Sequence, residues 1–195
     1  MDERSNLNTQ LQLIAIVLPE PLFSFVRDQQ NFIAEKWDCR HALRTPPHIT
    51  IIPPLAITPE EINGLQEIAG EVAAKCNSFS LAVKGYGAFK PRVIFIKPEL
   101  PPGLSDLYQN WRDALMKTFP HVLGKYPDKP YHPHITLAHR DVDRKQFDEM
   151  WNLYENKKID ISIEINQFCI LGHGKNGWEI EKYLHIPPVL PPYFI

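Results

Sequence analysis

Two short segments of the chain each place a histidine and a threonine two residues apart. In residues 45–51, T-P-P-H-I-T-I, these are His48 and Thr50, and in residues 131–140, Y-H-P-H-I-T-L-A-H-R, they are His134 and Thr136. Side chains two residues apart on a β-strand point to the same face. Each segment therefore predicts an imidazole and a hydroxyl that lie side by side on one face of a sheet.

These side chains suit chemistry at a phosphodiester. Histidine exchanges protons near neutral pH, so two imidazoles can activate a water molecule and protonate the leaving oxygen. Threonine hydroxyls can donate hydrogen bonds to the nonbridging oxygens, where charge accumulates. We predict that His48 and His134 are the acid/base pair, in either order, and that Thr50 and Thr136 bind phosphate. This chemistry requires neither a metal nor a cofactor.

The fold must bring two distant segments together, and the predicted elements suggest how. The first half contains, in order, a strand at 11–18, a helix to Trp37, the first motif strand, a helix after Thr58 and a strand at 79–83. The second half contains a strand at 92–97, a helix to about Phe119, the second motif strand, a helix capped by Asp143, and final strands at 159–171 and 178–186. This repeated order predicts a duplicated architecture, in which Pro53-Pro54 end the first motif strand.

Length and charge limit the organisation and the partners. A chain of 195 residues suits a single domain, residues 1–195, built from two similar lobes. Its 21 Lys and Arg residues and 23 Asp and Glu residues give a net charge of −2, which excludes a global basic surface for holding long nucleic acids nonspecifically. A local positive patch is still expected beside the motifs, formed by Arg40, Arg44, Lys125 and Lys129.

Cysteine usage and hydropathy indicate the compartment. The three cysteines, Cys39, Cys76 and Cys169, are odd in number and lack C-x-x-C spacing, which favours buried thiols in a reducing compartment. The apolar run at 11–18 is too short to span a membrane. We therefore expect a cytoplasmic protein without a membrane partner, and a monomer.

Three alternatives compete with the paired-motif interpretation. A metal hydrolase would use His132, His134 and His139, but no Asp, Glu or Cys lies at ligand spacing, and the first motif would have no role. A histidine-triad hydrolase lacks a required residue, because Thr136 stands where that signature has a third histidine. A binding module without turnover would not need two groups for proton transfer.

The paired motifs resemble those of a known family. P-P-H-I-T-I-I-P-P-L and P-H-I-T-L-A are similar to the H-x-[ST] motifs of the 2H phosphoesterases, most of all the 2′-5′ RNA ligase-like (LigT-like) branch. The resemblance implies an α+β fold of two pseudo-twofold lobes, with mainly antiparallel sheets, outer helices and a cleft between the lobes. It also implies metal-independent action on 2′,3′-cyclic phosphates of RNA ends or nucleotides, with the same roles for the two His-Thr pairs.

Further substrate contacts are predicted around the motifs. Tyr131 and Phe89 are candidates for stacking on a base, and Arg140 for contact with phosphate. Bacterial relatives often carry Arg two residues after the Leu of the second motif, whereas this chain has His139 there and Arg140 one position later. The expected partner is a nucleotide or an RNA terminus with a cyclic phosphate.

Overall fold

The computed structural model describes residues 8–123 and 130–189, which form an α+β fold, as predicted. The eight strands in these residues are β1 Gln10–Val17, β2 His48–Ile57, β3 Phe79–Phe89, β4 Val93–Pro98, β5 Ile135–Ala138, β6 Asp160–Ile165, β7 Gln167–Gly174 and β8 Gly177–His185. The α-helices in these residues are α1 Leu22–Trp37, α2 Glu61–Lys75, α3 Pro102–Thr118, α4 Pro120–Leu123 and α5 Arg144–Tyr154, and His41–Arg44 forms a 3-10 turn.

All eight strands join one antiparallel sheet, in the order β6-β3-β4-β5-β2-β1-β7-β8. The two motif strands, β2 and β5, are neighbours at its centre. Counted outward from this seam, β1 corresponds to β4, β7 to β3 and β8 to β6. The strand that follows the first motif in sequence, β3, borders β4 in the half of the sheet that contains β5. The strand that follows the second motif, β6, stays in that half beside β3, and the chain then crosses to the other half, where β7 borders β1.

The helices pack against one face of the sheet and form the main core with it. Ile49 and Ile135, the central residues of the two motifs, are fully buried there together with Val26 of α1 and Trp111 of α3. The motif histidines and threonines occupy the alternate positions, so their side chains point to the opposite face. The pairing of β2 with β5 and the alternation along each strand therefore place both motifs on one side of one sheet.

The predicted strand at 159–171 is wrong, because this segment forms two strands on opposite halves of the sheet. β6 pairs with β3 and β7 pairs with β1, and Asn166 is the break between them. β6 is an edge strand with alternating burial, whereas β7 has a neighbour on each side and is buried from Phe168 to Gly172. The apolar/polar alternation at 159–165 and the apolar run at 168–171 do not specify which strand each part pairs with, so the break was missed.

The prediction that Pro53-Pro54 end the first motif strand is also wrong. β2 continues through both prolines to Ile57. Ile52 faces Ile14 and Leu55 faces Gln12, so the two prolines together oppose a single residue of β1. A bulge of this kind accommodates proline because the ladder hydrogen bonds are already interrupted there.

Two helix starts show how far the predicted caps were correct. Asp143 caps α5, since its carboxylate accepts a hydrogen bond from the backbone N–H of Lys145 at 2.7 Å. Helix α2 begins at Glu61, later than expected, and Glu61 accepts from the Thr58 backbone N–H at 3.0 Å. This contact is one half of a capping box around Thr58.

The three cysteines are buried free thiols, as predicted. Burial raises the pKa of Cys39 to about 11, with nearby Asp141 adding to the effect. In the described part of the chain, none of the helices combines the length and the apolar character needed to cross a membrane.

Candidate active site

The seam between β2 and β5 brings the two motifs together. Ile49 pairs with Ile135 across the seam. The same antiparallel register, continued by one residue in each direction, sets His48 opposite Thr136 and Thr50 opposite His134. Each histidine thus faces the threonine of the other motif, and the two histidines lie on a diagonal. All four side chains are half-buried, in contrast to the buried isoleucines between them.

A backbone carbonyl orients each imidazole in the same way. The Nδ1 atom of His48 lies 2.7 Å from the Pro46 carbonyl oxygen, and that of His134 lies 2.9 Å from the His132 carbonyl oxygen. A carbonyl can only accept, so each Nδ1 carries the proton and donates it. The Nε2 atom of each neutral ring is therefore unprotonated, which leaves it able to take a proton from a bound molecule.

The surroundings of His48 favour its neutral form. The pKa of His48 is lowered to about 4, mainly by burial and to a smaller extent by the neighbouring His134 ring, while the hydrogen bond to the Pro46 carbonyl acts in the opposite direction. At neutral pH, His48 is consequently an uncharged imidazole with a free Nε2 acceptor.

The surroundings of His134 are aromatic. Its ring lies edge-on to Phe89, with centroids 5.3 Å apart, and 5.5 Å from the ring of Phe95. Phe95 sits over Gly87, where a Cβ atom would come within 2.5 Å of the Phe95 ring. Phe89 remains 44% exposed. The predicted stacking residue Phe89 thus stands beside the second histidine, with ring surface open to solvent.

Two side chains link the halves of the sheet at the motif threonines. The Tyr131 hydroxyl donates to the Thr50 carbonyl at 2.9 Å, and Nε2 of Gln30 in α1 donates to the Thr136 carbonyl at 2.9 Å. Tyr131 also stacks on Tyr108 at 4.2 Å and 7°. Its hydroxyl and one ring face are therefore occupied, and its stacking on a base remains a prediction.

Sequence reasoning missed Gln30. Gln30 lies on the buried face of α1, where an amide needs hydrogen-bond partners, and this position in the sequence could have indicated a contact with another segment. Its Nε2 atom has such a partner in the Thr136 carbonyl, so the amide holds the second motif from a helix of the first half.

The connection that leads into His48 is held from several sides. Arg27 of α1 donates to the carbonyls of Leu43 at 3.3 Å and Thr45 at 3.0 Å. The Arg44 carbonyl lies where Gly177 would carry a Cβ atom, so the β7–β8 turn can approach only because this residue is glycine. These contacts fix the path of the backbone immediately before the first motif.

The three histidines of the alternative metal site, His132, His134 and His139, do not form a ligand cluster. His139 packs edge-on against His41, with centroids 4.8 Å apart, whereas His132 is exposed. Within residues 8–123 and 130–189, no three His, Cys, Asp or Glu side chains are grouped as metal ligands. Arg140 is exposed, with φ of 66°. His41 was not predicted as a site residue. Two members of the predicted basic patch, Lys125 and Lys129, lie outside the described residues.

Comparison of the sequence with known proteins points to one family. The profile of the 2′-5′ RNA ligase superfamily matches residues 18–177. A Bacillus cytotoxicus protein with the provisional name phosphoesterase is 26% identical over 179 residues, 90% of this chain and 97% of that protein. A Bacillus licheniformis protein with the same provisional name is 28% identical over 80% of this chain and 88% of its own length.

Solved structures share the fold. The protein TT0787 of Thermus thermophilus matches with a TM-score of 0.71 at 20% identity, covering 93% of this chain and 100% of that one. E. coli LigT in complex with NADP+ matches with a TM-score of 0.62 at 18% identity, covering 92% of this chain and 99% of that one. Because the profile match extends over most of the sequence, the protein belongs to the 2′-5′ RNA ligase superfamily of 2H phosphoesterases.

Proposed function

We propose that this 2H-type phosphoesterase opens 2′,3′-cyclic phosphates, or cleaves related phosphodiesters, of RNA ends or nucleotides without a metal. The observation that carries the proposal is the arrangement at the seam, where two imidazoles, each held through Nδ1 with Nε2 available for proton exchange, share one sheet face with two hydroxyls. Diagonal positions across an antiparallel pair are about 7–8 Å apart, a span that suits a phosphorus atom between two rings.

We assign the base to His48 and the acid to His134. His48 is neutral at physiological pH because burial lowers its pKa, so its Nε2 can take a proton from the attacking water as the new P–O bond forms. As the bond between phosphorus and the ribose oxygen breaks, protonated His134 gives its Nε2 proton to that oxygen. The product is a phosphomonoester with a free ribose hydroxyl. The two rings supply both proton transfers, so this scheme includes no metal.

Thr50 and Thr136 stabilise the charge that develops on the nonbridging oxygens. Each hydroxyl stands opposite the histidine of the other motif, so the two donors approach the phosphate from both strands. Their backbone carbonyls are held by Tyr131 and Gln30, which orients the threonines before substrate binds.

The nucleotide is expected to stack on Phe89. Its exposed ring adjoins His134, the group that we assign to the leaving ribose oxygen, so the base and the sugar lie on the same side of the phosphorus. Solved structures of E. coli LigT in complex with phosphate, 3′-AMP and ATP show that nucleotides bind to a protein of this fold, which supports a nucleotide here.

The test is hydrolysis of 2′,3′-cyclic nucleotides and of an oligoribonucleotide that ends in a cyclic phosphate, after dialysis against EDTA. The proposal expects monoester product in the presence of chelator. Loss of activity that returns on adding a divalent cation would favour a metal hydrolase. Measurable binding without any turnover would identify the protein as a binding module.

A further inference from the structure

The hairpin formed by β3 and β4 carries an excess of positive charge beside the site. Its basic residues are Lys84, Lys90, Arg92 and Lys97, against one acidic residue, Glu99, which immediately follows β4. Glu99 is already paired with Lys84, with Oε1 and Nζ 3.0 Å apart. Within the part of the chain that the structure describes, the other three cations form no ion pair. They therefore remain available to a polyanion from solution.

Lys97 lies on the same face of the sheet as the motif histidines. Phe95, two residues earlier on β4, lies against the His134 ring, and alternation along the strand points Lys97 to the same face. Continuing the pairing of Ile96 with Ile135 by one residue sets Lys97 opposite His134. Lys97 is thus the neighbour of the second motif histidine on the adjacent strand, and it is exposed.

Two glycines of β3 leave the space beside this lysine open. A Cβ atom on Gly87 would lie 3.3 Å from Cγ of Lys97, and one on Gly85 would lie 3.8 Å from its Nζ. The lysine side chain therefore extends across β3, away from the seam between β2 and β5. Gly85 and Gly87 present no side chain that would exclude a phosphate from the ammonium group.

The turn of the hairpin combines two further cations with an exposed ring. The Arg92 backbone N–H donates to the Phe89 carbonyl at 3.1 Å, which closes the turn Phe89-Lys90-Pro91-Arg92. All four residues are exposed. Phe89 lies 5.3 Å from His134 between ring centroids, so the turn borders the proposed nucleoside position. An aromatic ring flanked by cations suits single-stranded nucleic acid, because bases stack on the ring and phosphates pair with the cations.

The other half of the same sheet face is different in character. Ala15 pairs with Thr50, which places the small cluster of Leu13, Ala15, Cys169 and Leu171 on this face of β1 and β7. These four residues are buried and carry no charge. The two halves of the face thus offer a phosphate chain unequal surroundings, and the β3–β4 hairpin is the half that favours it.

We propose that the β3–β4 hairpin binds the RNA strand that precedes the terminal nucleoside, so that a single-stranded RNA end is preferred over a free nucleotide. The inference rests on the proposed function in placing the terminal nucleoside at Phe89, beside His134. The strand continues from the 5′ oxygen of that nucleoside, so it leaves the seam on the β4 side. β4 and β3 lie about 5 Å and 10 Å beyond β5, which brings Lys97 and then the turn beneath successive phosphates.

The experiment compares the binding of two probes to the full chain by calorimetry, uridine 3′-monophosphate and a short oligouridylate that ends in a 3′-phosphate. Both probes present the same terminal group to the seam. We expect the oligouridylate to bind at least about tenfold more tightly, as for one added charge-assisted contact. Its affinity should also fall more steeply with salt, by about 0.7 in the logarithmic slope for each further phosphate contacted.

Substitutions in the hairpin locate the effect. Lys90→Gln combined with Lys97→Gln should reduce the ratio of the two dissociation constants at least about threefold, and adding Arg92→Gln should bring it close to one. Lys75→Gln combined with Lys117→Gln is the matched control. It removes the same charge from exposed positions on α2 and α3, the helices across the sheet, and should preserve the wild-type ratio.

A wild-type ratio near one, or a ratio that the hairpin variants leave unchanged, would overturn the proposal. An equal fall in the Lys75→Gln/Lys117→Gln control would also overturn it, because the preference would then reflect net charge. The readout is binding, so a clear oligouridylate preference in a protein that hydrolyses no cyclic phosphate would support the hairpin surface and refute the proposed reaction. Hydrolysis of cyclic nucleotides with equal binding of both probes would do the reverse.

Discussion

The two motif strands share a backbone arrangement but have different surroundings. In each, the histidine donates Nδ1–H to the carbonyl two residues earlier, and the threonine carbonyl accepts from a side chain of the other half. His48, however, is desolvated and lies near the paired rings of His139 and His41, whereas His134 lies against Phe89 and Phe95.

This contrast separates what the repeated architecture provides from what differs between its halves. The repeat supplies two equivalent imidazoles on opposite sides of one position at the seam. The different neighbours then allow His48 to remain neutral and act as the base, while His134, beside the proposed nucleoside position, acts as the acid. His48 and His134 thus share a geometry but differ in environment, and substitutions in one motif at a time can separate the two contributions.

The largest effect is expected from removing either imidazole. His48→Ala and His134→Ala should each lower kcat/KM by about 10² to 10⁴, because each deletes one proton transfer. His132→Ala is the matched control, since His132 contributes its backbone carbonyl to His134 and its side chain is exposed. Steady-state kinetics with a 2′,3′-cyclic nucleotide measures all three. An equal loss of kcat/KM in His132→Ala would contradict the assignment of the acid/base pair to His48 and His134.

The hydroxyls should have a smaller and more symmetric effect. Thr50→Val and Thr136→Val keep the side-chain shape and remove one donor to the phosphate oxygens, so each should reduce kcat by about 10²-fold. Thr118→Val, at the exposed end of α3, provides the control. A large effect at only one threonine would show that a single strand holds the phosphate.

The pH profile distinguishes the two histidines. His48 acts as a base only when it is deprotonated, and its pKa is lowered to about 4. Between pH 7 and pH 5.5, protonation of His48 should not lower kcat/KM. The fall of kcat/KM on the acid side of the pH profile should appear only as pH approaches 4. An acid limb near pH 6.5, the ordinary histidine value, would contradict the assignment of the base to His48.

The links across the seam should give the smallest effects. Tyr131→Phe keeps the stack on Tyr108 and deletes the hydrogen bond to the Thr50 carbonyl, which should cost about 1 kcal/mol of unfolding free energy. Activity should fall by less than about tenfold, because Thr50 stays in its strand. Gln30→Leu makes the corresponding change at Thr136. Urea denaturation and kinetics on both variants would show whether the two links are equivalent.

The sequence contained the motifs, the repeated element order and the common face, because these depend on local periodicity. It did not contain the pairing of β2 with β5, the division of residues 159–171 between opposite halves, or the bulge that accommodates Pro53-Pro54. Those features depend on which strands become neighbours, and alternation along one strand does not encode that. Gln30 and His41 were missed for the same reason, since their partners lie far along the chain.

The most direct test is a crystal structure of the protein soaked with phosphate. We predict one phosphate between His48 and His134, with both Nε2 atoms and both threonine hydroxyls within hydrogen-bond distance, about 2.6–3.2 Å. A phosphate bound elsewhere, or contacting the residues of one motif while the other remains distant, would contradict the claim that the two motifs form a single site.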